Sequence, residues 1–344
     1  MKKAIILFLS LLFGAMGFAS EEIDFEKLKK KYSKHNAVIL NEDYEYTIDI
    51  KGDSLAIQQK NSKRVLILSE HSKAYTNDYV YENGFTHISD IEAYTLIPTE
   101  KKYKKIKVES YKEYHDRDGS SFFDDTKTIK FSYPSIEQGA ITVCDYNIVF
   151  EDPRFLRHCY LQSWIPLIKT KVVLKVHKNV EIGFKIFHGE GIDILYNTYS
   201  KGKYTYYEWE VNDLEPYKYK SGDQYSIRYY SPHIAFFIKE TNIKGNKVKY
   251  FGETADLYRY YRELLASAKN PESEELIKLV GEITEGLSDR EKAKSIYYWV
   301  QNNIKYVAYE HGYNGFIPMP SADVFSKRFC DCKGSQLTFV GQYW

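Results

Sequence analysis

The sequence predicts an α+β protein, a large antiparallel β-sandwich region followed by a helical segment. Between about Val38 and Tyr250, short runs rich in β-branched and aromatic residues are separated by Gly, Asn, Asp and Pro, which is the pattern of strands and turns. Near Phe251 the apolar spacing changes from strand-like to helix-like. At 344 residues the chain is long enough for two domains.

The chain opens with Lys2 and Lys3, an apolar run from Ala4 to Phe13, and small residues flanking Phe18 at Gly17 and Ala19. This is the layout of a secretory signal peptide over residues 1–19. The apolar run falls short of the ~20 residues a membrane helix needs, and Glu21 and Glu22 follow at once. The first cysteine is Cys144, so nothing indicates lipid attachment after the leader. The mature chain is expected to be exported, periplasmic or secreted, with no transmembrane segment.

Basic and acidic residues number 48 and 47 and are interleaved, so neither nucleic acid nor an anionic membrane surface is implied as a partner. Tyrosine is abundant, at 33 residues. Two readings stand: tyrosine suits a pleated sheet with one wet face, and it also suits a stacking platform for sugars or peptides.

The strand-like runs are Tyr44 to Ile50, Arg64 to Ser69, Thr126 to Pro134, Ala140 to Phe150, Thr170 to His177, Tyr204 to Val211 and Gln224 to Pro232. They assign residues 20–252 to the β-sandwich domain. Leu257, Tyr260, Tyr261, Leu264, Leu265 and Ala268 then recur at helical spacing. A second helix follows from Asn270 as N-cap and Pro271, with Leu276, Leu279, Val280, Ile283 and Leu287 on its stripe and Gly286 near its end. Ser288 and Glu291 form a capping box for a third helix bearing Ala293, Ile296, Tyr297, Val300 and Ile304. Asp331 is placed to cap a fourth, with Cys332 in its first turn and Leu337, Val340 and Trp344 at helical spacing. These helices make up residues 253–344.

Cys332 is the residue with most chemical promise. A helix N-terminus favours a thiolate, and Arg328 and Lys333 add positive charge, whereas an ionised Asp331 opposes it. The bland alternative is a buried thiol acting as filler.

The stretch "SIYYWVQNNIKYVAYEHGYNGFIPMPSADVFSKRFCDCKGSQL" resembles the opening of a bacterial transglutaminase-like domain. In that family a helix ending Y-x-x-V-Q-x-x-I-x-Y leads through a Gly- and Pro-containing loop to a basic residue and G-D-C-K. Tyr297 or Tyr298, Val300, Gln301, Ile304, Tyr306, Asp331, Cys332 and Lys333 carry the match. The preceding "YPSIEQGAI" and "YLQSWIPLIKTKVVLKV" resemble the β domain of unknown function that commonly precedes it in exported bacterial proteins. The resemblance implies a papain-like thiol site with Cys332 as nucleophile. A histidine base and an orienting aspartate would come from later strands, and the substrate would be a peptide or protein.

The sequence departs from the family in two ways. Cys330 stands where glycine is usual, and the twelve residues after Cys332 contain neither histidine nor aspartate. His311, the last histidine, precedes the cysteine. The reading is therefore a C-terminally truncated member, inactive as it stands, whose exposed apolar helix faces need a partner or a missing C-terminal segment. The rival function is a non-enzymatic β-sandwich module binding peptide, glycan or an envelope protein.

Other groups read more plainly. Cys330 and Cys332 are too closely spaced for a usual zinc pair, and a disulfide between them would be strained. Cys144 and Cys159 are a possible disulfide if a hairpin turns at Asp152-Pro153. His158, His177 and His233 sit in or beside strands as structural residues, and the acidic loop at Asp116 to Asp118 with Asp124 and Asp125 lacks a calcium-loop pattern. No cofactor and no metal are called for.

Overall fold

The computed structural model describes residues 24–70, 72–100, 102–115, 123–218, 229–267, 273–310 and 312–335. The expected leader, the Asn270-Pro271 cap, the loop at Asp116 to Asp118, His311, and the apolar residues Leu337, Val340 and Trp344 lie outside them, as does most of the run from Gln224.

A short helix α1 (Phe25–Lys31) leads into β1 (Ala37–Lys51), β2 (Ser54–Ile67), β3 (Asn77–Glu82), β4 (Thr86–Pro98), β5 (Tyr103–Lys107) and β6 (Tyr111–His115). Next come β7 (Phe123–Asp124), β8 (Lys127–Ser132), β9 (Ile141–Phe150), β10 (Cys159–Tyr160), β11 (Leu167–His177) and β12 (Val180–Phe187). The β region ends with β13 (Ile194–Lys201), β14 (Tyr204–Leu214), β15 (His233–Ile243) and β16 (Asn246–Lys249). Eight strands form one large sheet in the order β13-β14-β11-β1-β2-β9-β4-β5, with β3-β8-β6 and β10-β15-β12 as smaller sheets.

This architecture is α+β, and the large sheet departs from the antiparallel expectation at one pairing: β1 and β11 run parallel, with Tyr44 beside Val172 and Ile48 beside Val176. On β11 the residues Thr170, Val172, Leu174 and Val176 are buried while those between are only partly so, because successive side chains point to opposite faces. The inward set joins Tyr46, Ile48 and Trp209 with Ile182, Ile234, Phe236 and Ile238 of β12 and β15 in one core. On another part of the sheet, Phe25 and Leu28 of α1 and the neighbouring Tyr32 pack against Val38, Leu66, Ile141 and Val143.

The helical segment comprises α2 (Thr254–Ser267), α3 (Glu274–Thr284) and α4 (Asp289–Asn303), then β17 (Lys305–Tyr306), β18 (Tyr309–Glu310), α5 (Ser321–Lys327) and β19 (Phe329–Cys330). Glu291 accepts the backbone N–H of Ser288 at 3.0 Å, closing the capping box at the start of α4. For α3 the cap is Ser273, whose hydroxyl accepts the N–H of Leu276 at 3.3 Å. The stripe predicted for α2 has the right period but is only partly covered: Leu257, Tyr261 and Leu265 are exposed, Tyr260 packs against Phe251 and Arg154, and the buried residue is Asp256. Asp256 turns inward because its carboxylate accepts the N–H groups of Gly252 and Glu253 and the guanidinium of Arg259.

Two polar anchors tie this segment to the β region. Tyr313 donates to Asp152 at 2.5 Å, and Asp125 accepts the backbone N–H groups of both Gly84 and Gly312. Around them, Phe85 stacks on Phe155 and meets Tyr313 edge-on, and β18 pairs with β7.

Candidate functional site around Cys332

Local backbone chemistry builds the closing stretch. Arg328 ends α5 in the left-handed conformation, with φ 62°, and its N–H bonds to the carbonyl of Val324. The chain then turns into β19, which pairs in parallel with β17: Lys305 donates to the carbonyl of Arg328 and Val307 to that of Cys330, both at 2.9 Å. Asp331 follows. Its Oδ1 accepts the N–H of Gly334 at 2.9 Å and its carbonyl accepts the N–H of Ser335 at 3.1 Å, so it caps a helix in which residues 332–335 are described. Cys332 is exposed in the first turn of that helix.

The two cations assigned to this thiol by the sequence have partners of their own. Lys333 pairs with Asp331 Oδ2. The guanidinium of Arg328 lies over the rings of Phe325, 4.4 Å from its centroid, and Trp299, 4.9 Å away. Lys333 thus offsets the carboxylate that would oppose a thiolate, which leaves the helix start as the main electrostatic support for Cys332.

Cys330, two residues earlier, is a different kind of thiol. It is buried, its Sγ lies 3.1 Å from the hydroxyl of Ser335, and burial pushes its ionisation up. A Cβ at residue 334 would stand 2.7 Å from Cys330 Cβ. Gly334 therefore makes room for a side chain at the position where the resembled family has glycine. Its place directly after Cys332-Lys333 was visible in the sequence, but its role was not, because the contact depends on how the helix folds back over β19. Cys330 and Cys332 are both free.

The expected hairpin joining Cys144 to Cys159 is not formed. Cys144 sits on β9 between Lys63 and Ala93, whereas β10 pairs with β15 and sets Cys159 beside Ile234. Both thiols are buried and free, and burial pushes Cys144 up to about 12. Cys159 rises still higher for the same reason, although a bond with Tyr46 acts against the shift.

The histidines gather where the sequence showed no pattern. His233 is buried and stacks between His158, at 5.5 Å, and Phe187, at 5.0 Å, with His188 6.1 Å away. Among the described residues, no group of three or more His, Cys, Asp or Glu is arranged to hold a metal ion. Nor is any helix among them long and apolar enough to cross a membrane.

Residues 56–218, just under half of the chain, match the family described as a domain of unknown function with a solved structure, DUF3857. No curated protein matches the chain. A Parabacteroides distasonis protein, provisionally described as a protease, shares the fold with a TM-score of 0.65 at 14% identity. The match covers 90% of this chain and 58% of that one, so the chain spans little more than half the length of its structural relative. An M1 zinc metallopeptidase from Deinococcus radiodurans aligns over 80% of this chain and 67% of its own, but at 8% identity and a TM-score of 0.32. That likeness is too distant to bear on fold or chemistry.

Proposed function

We propose that this chain is an exported protein that presents Cys332 as the nucleophile of a transglutaminase-like, papain-like thiol site, directed at amide or acyl bonds of a peptide or protein. The observation that carries the reading is the exposed sulfur in the first turn of a helix capped by Asp331, whose charge is offset by Lys333. In such a site the thiolate attacks the carbonyl carbon, the amine leaves with a proton from an imidazole, and water then releases the acyl group. The residues after Cys332 hold neither histidine nor aspartate, so turnover requires those groups from further sequence or a partner. Export is supported by the leader-like opening of the sequence.

Reactivity tests the proposal without turnover. Alkylation of Cys332 by iodoacetamide in the full chain at neutral pH is expected to run about tenfold faster than that of an unstructured cysteine peptide, and to vanish in Cys332→Ser. A rate no faster than that of the peptide would overturn the nucleophile role.

A further inference from the structure

We propose that a cleft between the large sheet and β3, remote in sequence from Cys332, binds a neutral saccharide. Its floor comes from β-sheet register. Tyr44, Asn61 and Tyr146 are direct cross-strand neighbours on β1, β2 and β9, and the adjacent row on the same face is Glu42, Lys63 and Cys144. The volume is about 450 Å³, within the ~300–1,000 Å³ common for small-molecule sites.

Open hydrogen-bonding capacity decides the ligand class. Asn61 and Ser231 both line the cleft and are 4% and 1% exposed, yet among the described residues Asn61 Nδ2 and the Ser231 hydroxyl have no hydrogen-bond partner. Asn61 Oδ1 accepts from Gln59 at 2.7 Å, and exchanging the ends of both amides would reverse that bond and still leave one Asn61 atom open. Both atoms lie just beneath the cleft surface, and a buried polar group without a partner is costly, so a ligand hydroxyl that meets them as the side chains turn relieves that cost.

The charged groups in the cleft are already engaged. Glu42 and Lys63 form an ion pair at 3.6 Å. Asp43 accepts from Asn41 and from the N–H of Lys171, and Asp78 from Tyr133 and the N–H of Tyr79. Burial pushes the Tyr44 and Tyr146 phenols up, which keeps them neutral. The groups left to recognise a ligand are therefore uncharged ones, suited to hydroxyls that both donate and accept. At the mouth, Tyr79 and Trp164 remain 61% and 55% exposed, and Trp164 is steadied edge-on by Tyr217. Such rings match the apolar face of a pyranose.

The test is a calorimetric and tryptophan-fluorescence titration of the full chain with maltohexaose, cellohexaose, xylohexaose and chitohexaose. At least one should bind with Kd below about 1 mM, and Trp164→Ala and Tyr79→Ala should each weaken it by about tenfold. Both residues are exposed, and unchanged circular dichroism and unfolding midpoints would show that the variants fold. Cys332→Ser should leave binding intact, which separates this site from the thiol chemistry. The assignment is overturned if none of the four saccharides binds, if neither aromatic variant weakens binding, or if an alanine–serine hexapeptide occupies the cleft while the saccharides do not.

Discussion

In the β region, Tyr46, Leu174 and Trp209 are shut away from solvent by a facing sheet, whereas on α2 the residues Leu257, Tyr261 and Leu265 remain 55%, 42% and 38% exposed. Both stretches carry the periodicity of their element. The difference lies in what each element faces. Strands of the large sheet find an opposing apolar layer in β12 and β15, while α3 and α4 bury Leu276 and Ile296. Amphipathic pattern sets which face is apolar, and burial then requires a second surface.

Substitutions on the two sides should separate most sharply at Trp209. Trp209→Ala removes a buried ring packed against Phe184 and Tyr196 and should cost about 3–5 kcal/mol in urea unfolding. Leu265→Ala on the open face should change stability by no more than ~0.5 kcal/mol, and equal losses at the two sites would break the contrast.

The junction comes next. Asp152→Ala takes away the acceptor of the Tyr313 hydroxyl and of the Arg154 N–H. It should cost about 2–3 kcal/mol and expose the segment near residue 313 to limited proteolysis. Tyr313→Phe, which leaves Asp152 its other partners, should cost about 1 kcal/mol. A proteolysis pattern unchanged in Asp152→Ala would show that the helices hold their place without this anchor.

A similar loss at one small contact would sharpen the picture of the thiol stretch. Gly334→Ala drives a methyl group into Cys330 and should destabilise by about 1–3 kcal/mol. The double variant with Cys330→Gly should recover most of that loss, measured as a double-mutant cycle.

The smallest effect concerns the histidine stack. Burial first, and then His233, hold His158 below its ordinary value of 6.5, so the folded state takes up a proton less readily than the unfolded one. The stability this gives is present above that value and is lost as pH falls through it. His158 lies at an exposed rim, so the midpoint temperature should drop only slightly on acidification, and His158→Gln should flatten part of that slope.

The alternation of β11, the change of period after Tyr250 and the Ser288 capping box could be read from sequence because each depends on neighbours within a few residues. Partners could not be read in the same way. The hairpin drawn between Cys144 and Cys159 failed because β10 crosses to pair with β15, and local turn chemistry at Asp152-Pro153 does not specify which strand comes back. Sequence assigns Arg328 to the thiol of Cys332, whereas its stacking on Phe325 and Trp299 brings together residues on α5 and α4 that local pattern does not pair.

What the sequence determined by itself was local: which segments are strands or helices, where caps and turns fall, and which thiol follows Asp331. The tertiary structure alone decided that β1 lies parallel to β11, that Tyr44, Asn61 and Tyr146 line one cleft, and that Leu257, Tyr261 and Leu265 of α2 face outward. Propensity and periodicity act over a few residues, whereas pairing and burial compare all surfaces of the chain at once.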